Sequence, residues 1–306
     1  MRWAPATKAA DTVLIEALRA VGLILGSLPT TALQRAAPYV PGYQTKQESI
    51  AIVGVDDLII RSLLDKQQYA DPFGEAERLG ISSAFWPLFG LPWPSGAKLA
   101  AHLAARPVNR HERILEIGCG LALASLVGHR RGANITASDC HPLTAAFLTE
   151  NLRLNGLGPM AYCVGHWGAP VDPVLRVDPE VRIDREVQVD PEVLVLPEVL
   201  IDPARQIDLA VPIDHLLPRV VTGLFDLIIG SDVLYERDDD STLAAFICRH
   251  ASIHAEVWIV DPDRGNRAAF NRQMALLGFV LTECRLDTTA SATGLAYKGR
   301  LLTYVR

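Results

Sequence analysis

Two hydrophobic rhythms divide the chain. Leu14, Leu18, Val21 and Leu25 recur at helical spacing and predict an amphipathic helix within Val13–Leu28. A Pro-containing linker follows around Pro38–Pro41. The apolar runs Ile50–Val55 and Leu58–Leu63 flank Asp56-Asp57 and predict a small hairpin. Leu64–Ala70 reads as helical and Pro72–Leu79 as loop. From about Pro94 the two periods alternate. Helices are predicted over Gly96–Ala105, Leu121–Arg131, Pro142–Asn155, Ser241–His250 and Arg264–Leu277. Strands are predicted over Arg113–Ile117, Asn134–Ser138, Ala161–Gly165, Phe225–Gly230 and Glu256–Val260. Such alternation implies a parallel sheet with helices on both faces. Gly278–Arg285 and Leu295–Val305 have no helix between them, so they imply a terminal antiparallel hairpin. The expected fold is α/β: a Rossmann-like, doubly wound, mostly parallel seven-stranded sheet with an antiparallel C-terminal hairpin.

The alternation is interrupted by a repeat. Read in sixes from Val171, the chain gives VDPVLR, VDPEVR, IDREVQ, VDPEVL, VLPEVL, IDPARQ and IDLAVP, ending at Ile213-Asp214. Proline in most units forbids a continuous central strand, because each one removes a ladder donor. Two readings remain open: a small repetitive β-coil or docking surface, and an expanded loop carrying no chemistry.

Charge sharpens this division. The 306 residues carry 29 Lys+Arg and 35 Asp+Glu, a net of −6. Residues 171–214 hold 11 acidic and 4 basic residues, a net of −7, which leaves +1 for the rest. The acidity belongs to the repeat. A chain without a basic block lacks the phosphate-neutralising surface that non-specific nucleic-acid binding requires, so no nucleic-acid partner is expected. Glu16 and Arg19 interrupt the most apolar N-terminal stretch, and the stretch is short for a bilayer span, so no integral membrane association is expected either. Five widely spaced cysteines, with no Cys-x-x-Cys among them, argue against a disulfide framework or a thiolate metal site. They fit a reducing compartment, and the expected location is cytoplasmic. No metal site is expected.

The strongest local chemistry is Ile114-Leu115-Glu116-Ile117-Gly118-Cys119-Gly120-Leu121-Ala122: a strand, a Gly-x-Gly turn, then a helix. Glycines at that junction allow a tight turn and close approach of a ligand to the backbone. A dinucleotide fingerprint would place a third glycine where Leu123 stands. The next predicted strand ends at Ser138-Asp139, and a carboxylate there can accept hydrogen bonds from both ribose hydroxyls of a nucleoside. The adjacent pair Cys140-His141 suggests a nucleophile and base, but neighbouring side chains seldom converge and no third orienting group is evident. Trp86–Trp93 is the densest aromatic run. It reads equally as a lid over a ligand and as packing for the N-terminal segment.

At these residues the chain resembles the class I, seven-strand S-adenosylmethionine-dependent methyltransferases. The LEIGCG run is similar to the family's first motif, and Asp139 to its ribose-binding acid. Leu91-Pro92-Trp93-Pro94-Ser95-Gly96, Ser138–Pro142 with Asn151 and Asn155, and Gly165-His166-Trp167 resemble segments of the protein-lysine and nicotinamide N-methyltransferase-like branch. Ser231-Asp232-Val233-Leu234-Tyr235 carries that branch's D-x-x-Y signature.

The resemblance covers roughly residues 85–306, departs at 171–220 and has no counterpart for residues 1–45. It implies an N-terminal helical and hairpin extension over residues 1–80. A methyltransferase domain over 81–306 would follow, interrupted by the acidic insert at 171–214. It implies S-adenosylmethionine as methyl donor, held by Trp93, Glu116, Gly118, Gly120, Asp139, Trp167 and Ser231. Glu116 would support the glycine turn or bind the donor's amino group, and Trp167 would stack near adenine. Asp232 would orient the acceptor amine and Tyr235 would shape a narrow slot for it. The acceptor is expected to be a protein lysine or a small-molecule amine; a non-catalytic module that keeps the donor site is the third reading. As bland rivals, Trp93 and Trp167 read as core aromatics, Tyr235 as a buried tyrosine and Asp232 as a helix N-cap.

Overall fold

The computed structural model of the chain describes residues 42–168, 219–289 and 296–306. The expected N-terminal helix and the hexapeptide repeat lie outside the described residues. Every element below belongs to the unit Tyr43–Arg306, which is distinct from Met1–Gly42.

The unit begins with an antiparallel hairpin, β1 (Thr45–Ile50) and β2 (Leu58–Leu63). Its first strand lies earlier than the predicted Ile50–Val55, because Ile50 pairs with Leu58 and the residues between them form the turn. The predicted helix over Leu64–Ala70 is absent. Leu64 is exposed there, while Tyr69 meets the Trp86 ring edge to face at 5.7 Å and Ala70 packs on the core without a helix. The predicted loop over Pro72–Leu79 instead contains a one-turn helix, α1 (Glu75–Arg78), which follows Gly74 in a left-handed conformation and buries Ala76. A 3-10 helix (Trp86–Gly90) leads into α2 (Pro94–Ala105), whose proline at the first position needs no N–H partner.

The regular alternation follows: β3 (Arg113–Ile117), α3 (Leu123–Arg130), β4 (Asn134–Asp139), α4 (Thr144–Leu154), β5 (Ala161–Val164), β6 (Phe225–Ser231), α5 (Thr242–His250), β7 (Ala251–Asp261), α6 (Arg267–Leu276), β8 (Val280–Arg285) and β9 (Arg300–Val305). The seven-stranded sheet runs β5-β4-β3-β6-β7-β9-β8. β3 to β7 are parallel, and β9 runs antiparallel to both β7 and β8.

Strand residues alternate between two cores. Ile114, Leu227, Ile229, Trp258 and Val260 pack with α2, α3, α4 and the hairpin, while Leu115, Ile117, Ile228, Val257 and Ile259 pack with α5 and α6. A sheet covered on both faces needs apolar side chains at consecutive positions, and this is why the strands read as nearly unbroken hydrophobic runs.

The hairpin is tied to this sheet through α4. The Asn155 side chain accepts from Ile59 N–H (3.0 Å) and donates to the Ile59 carbonyl (2.8 Å). Asn151, one turn earlier, accepts from Arg61 N–H at 2.8 Å. The two amides satisfy the free edge of β2 as a neighbouring strand would.

Candidate active site

A cleft of about 530 Å3 opens at the carboxyl ends of β3, β4 and β6. β3 lies between β4 and β6, so the strand order reverses there, and ligands of open α/β sheets bind at such points. Trp93, Glu116, Gly118, Gly120, Asp139, Trp167, Ser231, Asp232 and Tyr235 all line this cleft.

The turn after β3 requires its glycines. Gly118 and Gly120 have φ of 54° and 50°. A Cβ on Gly118 would lie 3.0 Å from Val233 and 3.2 Å from Trp167, and one on Gly120 would lie 2.8 Å from the Phe89 carbonyl oxygen. The turn is thus pressed between the 3-10 helix and the cleft.

Asp139 ends β4 with both carboxylate oxygens engaged. Gly120 N–H donates to Oδ2 and His141 N–H to Oδ1, each at 2.9 Å. Burial raises its pKa, and the backbone N–H groups of His141 and Gly120 oppose that shift. Glu116 faces the α3 side, where its Oε2 accepts from Ser125 N–H at 2.7 Å. A carboxylate in the first turn of α3 satisfies an orphan donor and complements the helix dipole. Burial nonetheless pushes Glu116 up to about 7, with the Ser125 bond opposing and the Asp139 charge adding.

The aromatic run divides between the core and the cleft. Trp86 and Phe89 are buried and meet edge to face at 5.8 Å. Leu88, Leu91, Pro92 and Trp93 line the cleft, and Trp93 Nε1 donates to the Leu88 carbonyl at 2.8 Å. His141 stacks on Phe89 with centroids 3.7 Å apart, and its Nδ1 accepts from Leu143 N–H. Burial lowers His141 to about 3 and raises Cys140 to about 12. A thiol and an imidazole so shifted are poorly suited to nucleophile–base chemistry.

On the far side, Asp232 adopts a left-handed backbone (φ 58°) just past β6, and its N–H donates to the Val260 carbonyl at 3.0 Å. It does not cap α5; Asp238 does, accepting from Thr242 N–H (2.9 Å) and Leu243 N–H (3.0 Å). The Asp232 carboxylate instead pairs with Arg264, whose Nε and Nη2 donate to Oδ1 at 3.0 and 2.5 Å. Tyr235 is 41% exposed rather than buried, and its ring lies 5.9 Å from that of Phe85, also a cleft residue. Arg264 and Phe85 are functional candidates that sequence reasoning missed. Arg264 read only as a helix start, and Phe85 stood just outside the aromatic run.

Among the described residues, no group of His, Cys, Asp and Glu is arranged to hold a metal ion. No described helix is long and apolar enough to cross a membrane.

Sheet order, strand directions and the cleft at the reversal point define the fold as α/β and Rossmann-like, a mostly parallel seven-stranded sheet with an antiparallel C-terminal hairpin. The chain's curated relatives are more particular. Over 82 residues the chain is 32% identical to the electron transfer flavoprotein beta subunit lysine methyltransferase of Danio rerio, a match covering 25% of this chain and 32% of that protein. The protein of the same name from Rattus norvegicus is 34% identical over 80 residues, covering 26% and 30%. The chain thus spans about a third of the length of the curated relatives it matches. Among solved structures, magnesium protoporphyrin IX methyltransferase from Synechocystis PCC 6803 aligns with 78% of this chain and 100% of its own, at 13% identity and a TM-score of 0.46. A methyltransferase from Pyrococcus furiosus aligns with 76% and 98%, at 14% identity and a TM-score of 0.43. No family model matches the chain.

Proposed function

We propose that the chain transfers a methyl group from S-adenosylmethionine to a lysine side chain of a protein, with the β subunit of electron transfer flavoprotein as first candidate acceptor. One observation carries this reading. A single cleft joins a bare glycine turn and a buried carboxylate on one wall to Asp232 and Tyr235 on the other. The names of the curated relatives support the choice of acceptor.

The residues present fit the donor. Gly118 and Gly120 line the cleft with bare backbone, packed so closely against Phe89, Val233 and Trp167 that no side chain comes between the turn and a ligand. Asp139 is held by backbone N–H groups at both oxygens and lines the cleft, where its carboxylate can also accept from ribose hydroxyls. Trp167 would flank the adenine, and Trp93 and Ser231 would pack on the donor. Glu116 holds the start of α3 behind the glycine turn and would support the turn or bind the donor's amino group.

Bound there, the donor supplies a methyl group already activated on a positively charged sulfur. The lysine ammonium first releases a proton to water, because the charged form has no lone pair. The nitrogen lone pair then forms the new N–C bond as the S–C bond breaks and leaves its electron pair on sulfur. Asp232 orients the amine, and Tyr235 with Phe85 narrows its approach. Holding two reactants in line contributes about 7–11 kcal/mol in favourable cases, so catalysis rests mainly on positioning. The five free cysteines support a reducing compartment, the cytoplasm.

The test incubates the full chain and tritiated donor with whole lysate and, separately, with purified electron transfer flavoprotein β subunit. Label on a protein band, mapped to lysine by mass spectrometry, is expected. Label confined to the small-molecule fraction replaces this reading with a small-amine methyltransferase, and no label with intact donor binding replaces it with a binding module.

A further inference from the structure

Asp232 offers the cleft an asymmetric carboxylate. Its Oδ1 accepts two N–H groups of Arg264, at 3.0 and 2.5 Å, while Oδ2 has no hydrogen-bond partner among the described residues. Both residues are held from behind through their backbones. Arg264 N–H donates to Asp261 Oδ2 at 2.9 Å, and Asp261 is fully buried at the end of β7. Asp232 is fixed at the end of β6 by its bond to Val260. Two adjacent parallel strands thus deliver a carboxylate and a guanidinium to one point on the cleft wall.

We infer that Arg264 is the positioning residue of the acceptor site: it locks Asp232 through Oδ1, leaves Oδ2 for the acceptor nitrogen, and offsets the carboxylate's charge so that the bound amine can release its proton. This rests on the methyl-transfer reading above and adds what that reading lacks, a reason why Asp232 does not trap the substrate. A lone carboxylate beside an ammonium favours the charged form and raises its pKa by about 1–3 units. That would hold the nitrogen in the form that cannot react. A guanidinium is charged at every working pH, so its pairing with Asp232 cancels much of this effect and preserves the hydrogen-bond acceptor. Other ionisable groups face the pair: Asp261, whose pKa burial raises, and Arg267 from behind, Tyr297, bound to Ser95 at 3.0 Å, and Tyr235 and Glu236 at the exposed rim.

The test measures methylation of the electron transfer flavoprotein β subunit from about pH 6 to pH 10, a range that spans the shifts at issue. It compares the full wild-type chain with Arg264→Gln and Arg264→Lys, and calorimetry follows donor affinity in parallel. Arg264→Gln is expected to move the acid limb of kcat upward by about one pH unit, lowering kcat roughly tenfold on that limb. Acceptor KM holds or falls, and donor affinity stays at the wild-type value. Arg264→Lys, which restores the charge, is expected to return the limb toward wild type. A merely structural arginine would lower donor affinity or total activity without moving the limb, and either result overturns the inference. A wild-type chain that binds donor but methylates no lysine overturns the underlying reading as well, and that failure is visible before any variant is made.

Discussion

The two walls of the cleft are built from different interactions. On the β3–β4 wall, backbone N–H groups hold Glu116 and Asp139, which are 2% and 7% exposed, and the glycine turn touches its neighbours at distances that admit no side chain. On the β6–β7 wall, a side-chain ion pair holds Asp232, while Phe85 and Tyr235 are 39% and 41% exposed. The first arrangement is rigid because moving any member breaks a buried hydrogen bond or a close contact. The second adapts at its rim, where the exposed Phe85 and Tyr235 rings change rotamer cheaply around a carboxylate that Arg264 holds in place. A donor of fixed shape suits the first wall, and an acceptor presented by a larger molecule suits the second.

The sharpest way to break this contrast is at Gly120. Gly120→Ala forces a left-handed alanine against the Phe89 carbonyl oxygen at 2.8 Å. The expected cost is about 3 kcal/mol of stability, measured by urea unfolding, with donor binding lost. A stable variant that binds donor would mean that the turn is not rigid.

Glu116 gives the next largest effect. Its ordinary pKa of 4.5 rises to about 7 in the folded chain through burial. Below the lower value both states are protonated. As pH rises through this window the unfolded chain ionises and the folded chain resists, so stability falls. Asp139, raised for the same reason, acts in the same direction. Glu116→Gln keeps an acceptor for Ser125 N–H and removes the penalty. Its melting temperature should converge with wild type near about pH 4 and exceed it at about pH 8, where the gain is roughly 3 kcal/mol. Parallel melting curves at both pH values would contradict the buried placement.

On the other wall, Phe85→Ala should raise acceptor KM severalfold and leave donor affinity unchanged, because the ring borders only the approach to Tyr235. Smallest of all, Trp93→Phe removes the bond to the Leu88 carbonyl while keeping an aromatic surface. The expected stability loss is about 1 kcal/mol by thermal unfolding.

The same contrast governs what was legible in the sequence. β3 and β6 were plain because burial on both faces demands unbroken apolar runs. Gly118, Gly120 and Asp139 were plain because their geometry is local, a turn and a strand tip. Leu64–Ala70 misled because its covered positions, Tyr69 against Trp86 and Ala70 against the core, are met by an irregular chain and do not form one helical face. α1 was missed because a single turn that buries one alanine leaves no period to detect. Arg264 and Phe85 were invisible for another reason. Arg264 acts 32 positions away from Asp232, and Phe85, just ahead of the 3-10 helix, meets Tyr235 from a distant part of the chain. Such contacts come from topology and leave no spacing behind.

The most direct test of the donor site is calorimetric titration of the full chain with S-adenosylmethionine, comparing wild type with Asp139→Ala. Loss of two charge-assisted ribose hydrogen bonds, at about 1.5 kcal/mol or more each, should weaken binding by about a hundredfold or more. The variant should remain folded by circular dichroism, with lower stability because Gly120 and His141 lose their N–H acceptor. Equal affinity in a folded variant would contradict the placement of the donor on the β3–β4 wall.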